Sequence, residues 1–174
     1  MAVLVFSAKV CYSETNWKAG DGVRRVDRER DSVFAIQVID SCEYGVAAIS
    51  TGEETPYCIP LSLVRVGEEL YFHCALEGRK LDLLRKNPNV CITFVGHNES
   101  AADAFTTYFR CAVVEGRAYE VTGQAEKIAA LRALCEKLTP AHMAHFEEEL
   151  AGSLARTGVW GIHMDRITGK EKVR

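Results

Sequence analysis

The chain has 174 residues, 48% of them hydrophobic and 26% charged, with a formal net charge of −3. That length suits one domain burying roughly 70% of its extended surface, and the charge balance gives no reason to expect a nucleic-acid partner. No apolar run approaches the ~20 residues needed to cross a membrane, and the opening Met1–Phe6 lacks the basic flank and full apolar stretch of a secretion signal, so a cytoplasmic protein is expected.

Residues 1–22 read as an N-terminal extension whose pattern fits an added strand or a loose segment equally well; residues 23–174 read as one domain. Arg24–Arg30 is dense in both charges and reads as a solvated lead into a helix. In Asp31–Cys42, Val33, Ile36 and Val38 or Ile39 recur at helical spacing, with Asp31 or Ser32 suited to cap the helix. Gly45–Ser50 is an apolar strand, Thr51–Glu54 a turn, and Pro56–Arg65 a returning strand. A second turn at Gly67 leads into Leu70–Cys74, which predicts a three-strand meander. Pro60 cannot donate to a strand ladder, so it belongs at an edge or bulge. A bulge without ligand explains it as well as an opening for a planar one.

The strand Leu70–Cys74 ends in Leu76-Glu77-Gly78, and Arg79–Lys86 follows as a short helix stopped by Asn87-Pro88. A helix start offers unpaired N–H groups and a dipole that favours an anion. Arg79 and Lys80 oppose that dipole, so local stability does not account for them, whereas a bound phosphate does. The competing reading is a solvated helix end that is merely basic, since Arg85 and Lys86 are basic too.

Val90–Val95 is a further strand, Gly96–Ala104 a polar loop, and Thr106–Val121 a long strand with a bulge or bend at Gly116. Gln124–Leu138 is amphipathic, with Ile128, Leu131, Leu134, Cys135 and Leu138 on one stripe. Thr139-Pro140 is predicted to cap a helix carrying Met143, Phe146 and Leu150. Gly152 and Gly158 bracket a linker, and Val159–Ile167 closes the chain as a strand whose apolar face is Trp160, Ile162 and Met164. Hairpins this dense predict a β-rich α+β fold, an antiparallel barrel of about six or seven strands with flanking helices.

Seven cysteines, at 11, 42, 58, 74, 91, 111 and 135, include no Cys-x-x-Cys pair, which removes support for zinc ribbons and thioredoxin-like chemistry. Cys58, Cys74 and Cys91 are expected to be small buried hydrophobes within strands. His142-x-x-His145 has helical spacing, but no neighbouring ligand pattern completes it in sequence, and no metal site is predicted. Nucleophile elbows, Walker loops and Gly-x-Gly-x-x-Gly are absent from the sequence.

Tyr71-Phe72-His73, Glu77-Gly78-Arg79-Lys80 and Leu83–Pro88, with Arg24–Glu29 before them and Thr168-Gly169-Lys170 after, carry a resemblance. Their order is similar to that of the pyridoxamine 5′-phosphate oxidase-like FMN-binding split β-barrels, and within them to the nitroimidazole-resistance (Nim) branch. The resemblance covers roughly Arg24 to Lys172 and implies a split barrel that binds FMN as a homodimer, with the cofactor near the interface and the Trp160–Met164 face suited to that burial. It implies phosphate held by Glu77, Gly78, Arg79 and Lys80, and a flavin ring facing the backbone of Ile59, Pro60, Leu61 and Ser62. Arg110, Cys111 and Trp160 are carried over as further cofactor contacts. Phe109-Arg110-Cys111 stands where the family shows tyrosine-arginine-serine, which removes a hydroxyl. His73 is the candidate catalytic residue. The implied function is a flavoprotein reductase of small oxidised compounds such as nitroaromatics, with NADH or NADPH as donor. The alternative is a carrier on the same fold for flavin (FMN or FAD), deazaflavin or heme.

Overall fold

A computed structural model of the chain describes residues 24–174, so the predicted extension at 1–22 lies outside the described residues. Val26–Arg28 forms a 3-10 turn, and β1 (Glu29–Arg30) pairs with the last strand rather than trailing in solvent. Helix α1 (Ser32–Ser41) starts as expected, the Asp31 carboxylate accepting from the Phe34 N–H at 2.9 Å. Its buried side is Ala35, Val38 and Ile39, while Val33 is exposed, so the stripe is rotated from the expected one.

The strands β2 (Tyr44–Ile49), β3 (Tyr57–Ser62), β4 (Val64–Val66), β5 (Glu69–Cys74), β6 (Asn89–Ser100), β7 (Thr107–Glu120) and β8 (Gly158–Lys172) follow the order β3-β2-β6-β7-β8-β5-β4, with every pairing antiparallel. The predicted meander is therefore corrected. β2–β3 and β4–β5 are hairpins, but β3 and β4, separated only by Leu63, lie at opposite ends of the order. One residue cannot span an open sheet, so the sheet curls until its ends meet, and β3 touches β5. Pro60 sits on β3, the strand that ends the order, opposite Val46 of β2, an edge position of the kind where proline is tolerated.

Two other boundaries differ. β6 runs on through the predicted loop to Ser100, accommodating it with a register shift between Val95 and His97. β8 extends to Lys172 and takes Thr168-Gly169-Lys170 into its ladder with β7. Around α2 (Arg79–Lys86), α3 (Gln124–Leu138) and α4 (Phe146–Ser153), sequence and structure agree except at the third helix start. Thr139 does not cap there; its hydroxyl donates back to the Cys135 carbonyl at 3.2 Å, and Pro140–His145 is a 3-10 segment preceding α4.

Phe72, Phe94, Ile92, Leu70 and Ile162 fill the barrel interior, each at most 1% exposed. Full burial of such a side chain contributes about 1.5–3 kcal/mol. A second cluster lies outside the barrel, where Leu134 and Ala130 of α3 cover Val64, Tyr71 and Val159. β8 is thus covered on both faces at its start, and Trp160, Ile162 and Met164 belong to the interior rather than to an exposed face. Cys58 and Cys91 are exposed and Cys74 half-buried, against the expectation of burial, because they fall on strand positions that the alternation turns outward or leaves at a strand end.

The predicted bulge at Gly116 is present as a register shift between Glu115 and Gly116. A Cβ there would stand 2.2 Å from the His163 carbonyl oxygen, which is backbone and cannot turn aside. Gly116→Ala is expected to cost about 1–3 kcal/mol by overpacking, lowering the melting temperature by ~2–4 °C per kcal/mol in a chain of this size. A thermal melt moved by less than a degree would show that the β7–β8 ladder can open at the bulge.

Candidate functional site

The joint between β5 and α2 is built from one glycine and three leucines. Gly78 has φ 139° and ψ 161°, a conformation open to glycine alone among ordinary residues. Its carbonyl accepts the Leu81 and Asp82 N–H groups at 2.9 and 3.2 Å, and no side chain caps the helix. Leu81, Leu83 and Leu84 are buried and fix the helix against the barrel. Its first turn is therefore held rigidly at the surface with donors facing outward.

Arg79 and Lys80 stand on that turn. The Arg79 guanidinium lies 5.0 Å from the centre of the Tyr57 ring, at the start of β3, and the Lys80 ammonium 5.4 Å from that of Phe72. Among the described residues neither is ion-paired to a carboxylate. Arg85 of the same helix is, to Asp82 at 3.8 Å and to Glu120 at 3.3 Å. The positive charge of the helix start is thus left unneutralised beside the edge strand. On β3, Leu61 is buried and Ile59 half-buried, while Pro60 and Ser62 are exposed, so a ligand meets backbone, Pro60 and Ser62 there. Glu77 is exposed in the connection.

His73 is exposed on β5 and opposite Val159. It shares the outer face with Tyr71, whereas Phe72 points into the barrel. Because the interior is filled with side chains, an outer position is where a surface ligand can be met.

Two predicted contacts lie far from this joint, and a third is buried beneath it. Arg110 pairs with Glu171 at 3.2 Å, and its guanidinium lies over the Phe34 ring at 4.8 Å. It precedes Glu120, the partner of Arg85, by ten positions of extended strand, roughly 30 Å. Cys111, half-buried with its thiol pKa pushed up by burial, lies at that same distant end. Trp160 is 3% exposed and sits opposite Phe72 under the Arg85 guanidinium, so it supports the site from within and offers no surface to a ligand.

Other polar groups gather without any signal in the sequence. The Tyr71 and Tyr119 hydroxyls lie 3.3 Å apart, and both donate to the Glu126 carboxylate at 3.0 Å, tying α3 to the outer face of the sheet. Burial, helped by the hydrogen bond to Glu126, raises the pKa of both tyrosines above the ordinary value. Beside them His163 Nδ1 lies 2.7 Å from Glu69 Oε1. Tyr57, the perch of Arg79, was likewise not foreseeable. These residues come from segments far apart in the chain and meet only through strand order.

Residues 32–171 match the sequence profile of the pyridoxamine 5′-phosphate oxidase family. The chain belongs to that family. Comparison with curated protein sequences gives no match. Among solved structures, a candidate 5-nitroimidazole antibiotic resistance protein from Bacteroides thetaiotaomicron superposes with a TM-score of 0.67 at 24% identity, over 82% of this chain and 84% of that one. Flavocytochrome Anf3 from Azotobacter vinelandii gives 0.71 at 21% identity, over 88% and 73%. The FAD and heme binding protein from Mycobacterium smegmatis gives 0.67 at 19%, over 83% and 72%. At these identities the likeness establishes the fold, the split barrel that the motif order implied.

In this member of the pyridoxamine 5′-phosphate oxidase family, the hydrogen bond to Glu69, followed by the charges of Glu69, Asp165 and Glu68, raises the His163 pKa above 6.5. A raised folded-state value stabilises fully below the unfolded pKa and is lost as pH rises through the folded one. Glu69→Gln is therefore expected to bring the His163 titration, followed by NMR of the ring protons, down toward its ordinary range. It should also flatten the loss of stability above about pH 6.5. An unmoved titration would assign the raised value to another source.

Proposed function

We propose that the protein is an FMN-binding oxidoreductase, a nicotinamide-dependent reductase of small oxidised compounds such as nitroaromatics. The observation that carries this reading is the pair of unneutralised cations, Arg79 and Lys80, on a glycine-led helix start beside the β3 edge. Their donor set suits a phosphate: a planar fork, a mobile ammonium and helix N–H groups. The β3 backbone with Pro60 and Ser62 would lie along the ring, and Trp160 and Phe72 would hold the strands behind it. Bound there, a flavin supplies the redox chemistry, accepting hydride from NADH or NADPH and delivering electrons to the substrate. His73 would hydrogen-bond an oxygen of the substrate and provide a proton.

Charge-assisted hydrogen bonds contribute about 1.5–3 kcal/mol each, so Arg79→Ala and Lys80→Ala should each weaken FMN binding at least ~10-fold. Unchanged affinity in both variants, in a fluorescence titration, would refute the phosphate site. His73→Ala should keep its flavin while nitro-compound turnover falls by ~10²–10⁴-fold. The second reading, a carrier of flavin (FMN or FAD), deazaflavin or heme, draws on the FAD and heme binding protein of the same fold. A visible spectrum of the purified protein and a turnover assay with either nicotinamide donor separate the two.

We further propose a cytoplasmic homodimer. The face first expected to dimerise, Trp160–Met164, is interior, but among the described residues nothing covers the outer face of β3-β2-β6. There Tyr44 and Val95 are 58% and 59% exposed, with Val46, Pro60, Cys91 and Thr93 beside them and no charge in the group. A two-fold axis sets like residues opposite one another, which an uncharged patch tolerates and a charged one does not. Cys111 pairs opposite Val95 at the border of this face, so a second copy would bring the distant end of β7 to the interface. Sedimentation should give twice the 19.3 kDa chain mass, and Val46→Lys should halve it. A flavin-loaded wild-type monomer would refute the dimer.

A further inference from the structure

Three cations on α2 each lie against an aromatic ring from a different strand. The Arg79 guanidinium is 5.0 Å from the ring centre of Tyr57 on β3, and the Lys80 ammonium 5.4 Å from that of Phe72 on β5. The Arg85 guanidinium is 5.8 Å from that of Trp160 on β8. All three lie within the ~6 Å over which a ring face attracts a cation. Arg85 also has carboxylates, Asp82 and Glu120, whereas among the described residues Arg79 and Lys80 have rings and no carboxylate. For an anion site the difference is decisive. A carboxylate fixes a cation and cancels its charge; a ring face fixes it and leaves the charge in place. Phe72 and Trp160, 1% and 3% exposed, belong to the core whatever lies over them.

Tyr57 differs from both. It opens β3 opposite Ile49, half-buried against the core, and among the described residues its hydroxyl has no hydrogen-bond partner. The ladder and the core hold the ring, so the exposed Arg79 side chain resting on it has less rotamer freedom to lose when an anion arrives. We propose that Tyr57 is a positioning residue for phosphate: its ring face presents the Arg79 fork and sets how strongly the chain prefers a flavin bearing a phosphate to the same flavin without one. The role rests on Arg79 and Lys80 holding that phosphate. Tyr57 acts through the guanidinium, and the ring is needed but the hydroxyl is not.

FMN and riboflavin share a ring system and differ in the phosphate, so each is titrated by fluorescence against the full-length protein. Tyr57→Leu should weaken FMN ~2–5-fold and leave riboflavin unchanged, while Tyr57→Phe should match the wild type for both. In an Arg79→Ala background, Tyr57→Leu should have no further effect on FMN, because the two side chains act as one. Without ligand, the NMR shift that the ring imposes on the Arg79 Nε–H should vanish in Tyr57→Leu and persist in Tyr57→Phe. Circular dichroism checks folding, with the β-branched Tyr57→Ile in reserve should leucine disturb the strand. A wild type that binds FMN no more tightly than riboflavin would remove the phosphate site and this role with it. A wild type that prefers FMN, with that preference intact in Tyr57→Leu or with both flavins weakened equally, would overturn the role of Tyr57 alone.

Discussion

The single residue between β3 and β4 sets the architecture. Leu63, 1% exposed, carries the chain from one end of the strand order to the other. Its carbonyl, no longer in a ladder, accepts from the Lys137 ammonium of α3 at 3.0 Å. That contact half-buries Lys137 and lowers its pKa through burial, a cost accepted because an unpaired carbonyl at the crossover would cost more. The Arg65 fork reaches Asp40 of α1 at 2.9 and 2.7 Å just beyond, so helices from both ends of the chain hold the closure. Once the ends are forced together, the interior must be filled, and Phe72, Phe94 and Ile92 fill it.

A filled interior leaves function to the outside and to the seam. The curl brings the start of β3 beside the end of β5, so Tyr57 can lie under Arg79 although 22 residues separate them in the chain. Without closure, the helix start after Gly78 would be a solvated basic end. With closure, it faces an edge strand interrupted by proline. The same curl explains why Trp160, an aromatic at a plausible contact position, is a support instead: its strand lies between β7 and β5 and is covered on both sides.

Features governed by local physics could be read before folding. The Asp31 cap, the bounds of α2 and α3, the edge proline and the Gly116 bulge each depend on neighbours within a few residues. The order of motifs was enough to place the chain in its family. What sequence could not supply was strand order. Period-two alternation puts Trp160 and Cys91 on a face, but which face is filled depends on which strands and helices lie above it. Thr139-Pro140 misled for a related reason: the hydroxyl found a nearer acceptor in the turn it had just left.

Charge is distributed with the same economy. Most described arginines have a carboxylate within reach: Arg30 and Arg110 share Glu171, Arg117 has Asp165, Arg132 has Glu147, and Arg174 has Glu99. Such exposed pairs each contribute little to stability, about 0–1 kcal/mol, but they cancel local potential. Among the described residues, Arg79 and Lys80 are left out of that cancellation, at the one helix start led by a glycine of positive φ. There they meet the positive end of the helix dipole, which is unfavourable for a cation. Two cations and a dipole end of one sign repel one another there, and a dianionic phosphate, in the reading proposed above, would remove that repulsion on binding. On that reading the local destabilisation would itself be a source of affinity, because the relief would come only with the bound anion.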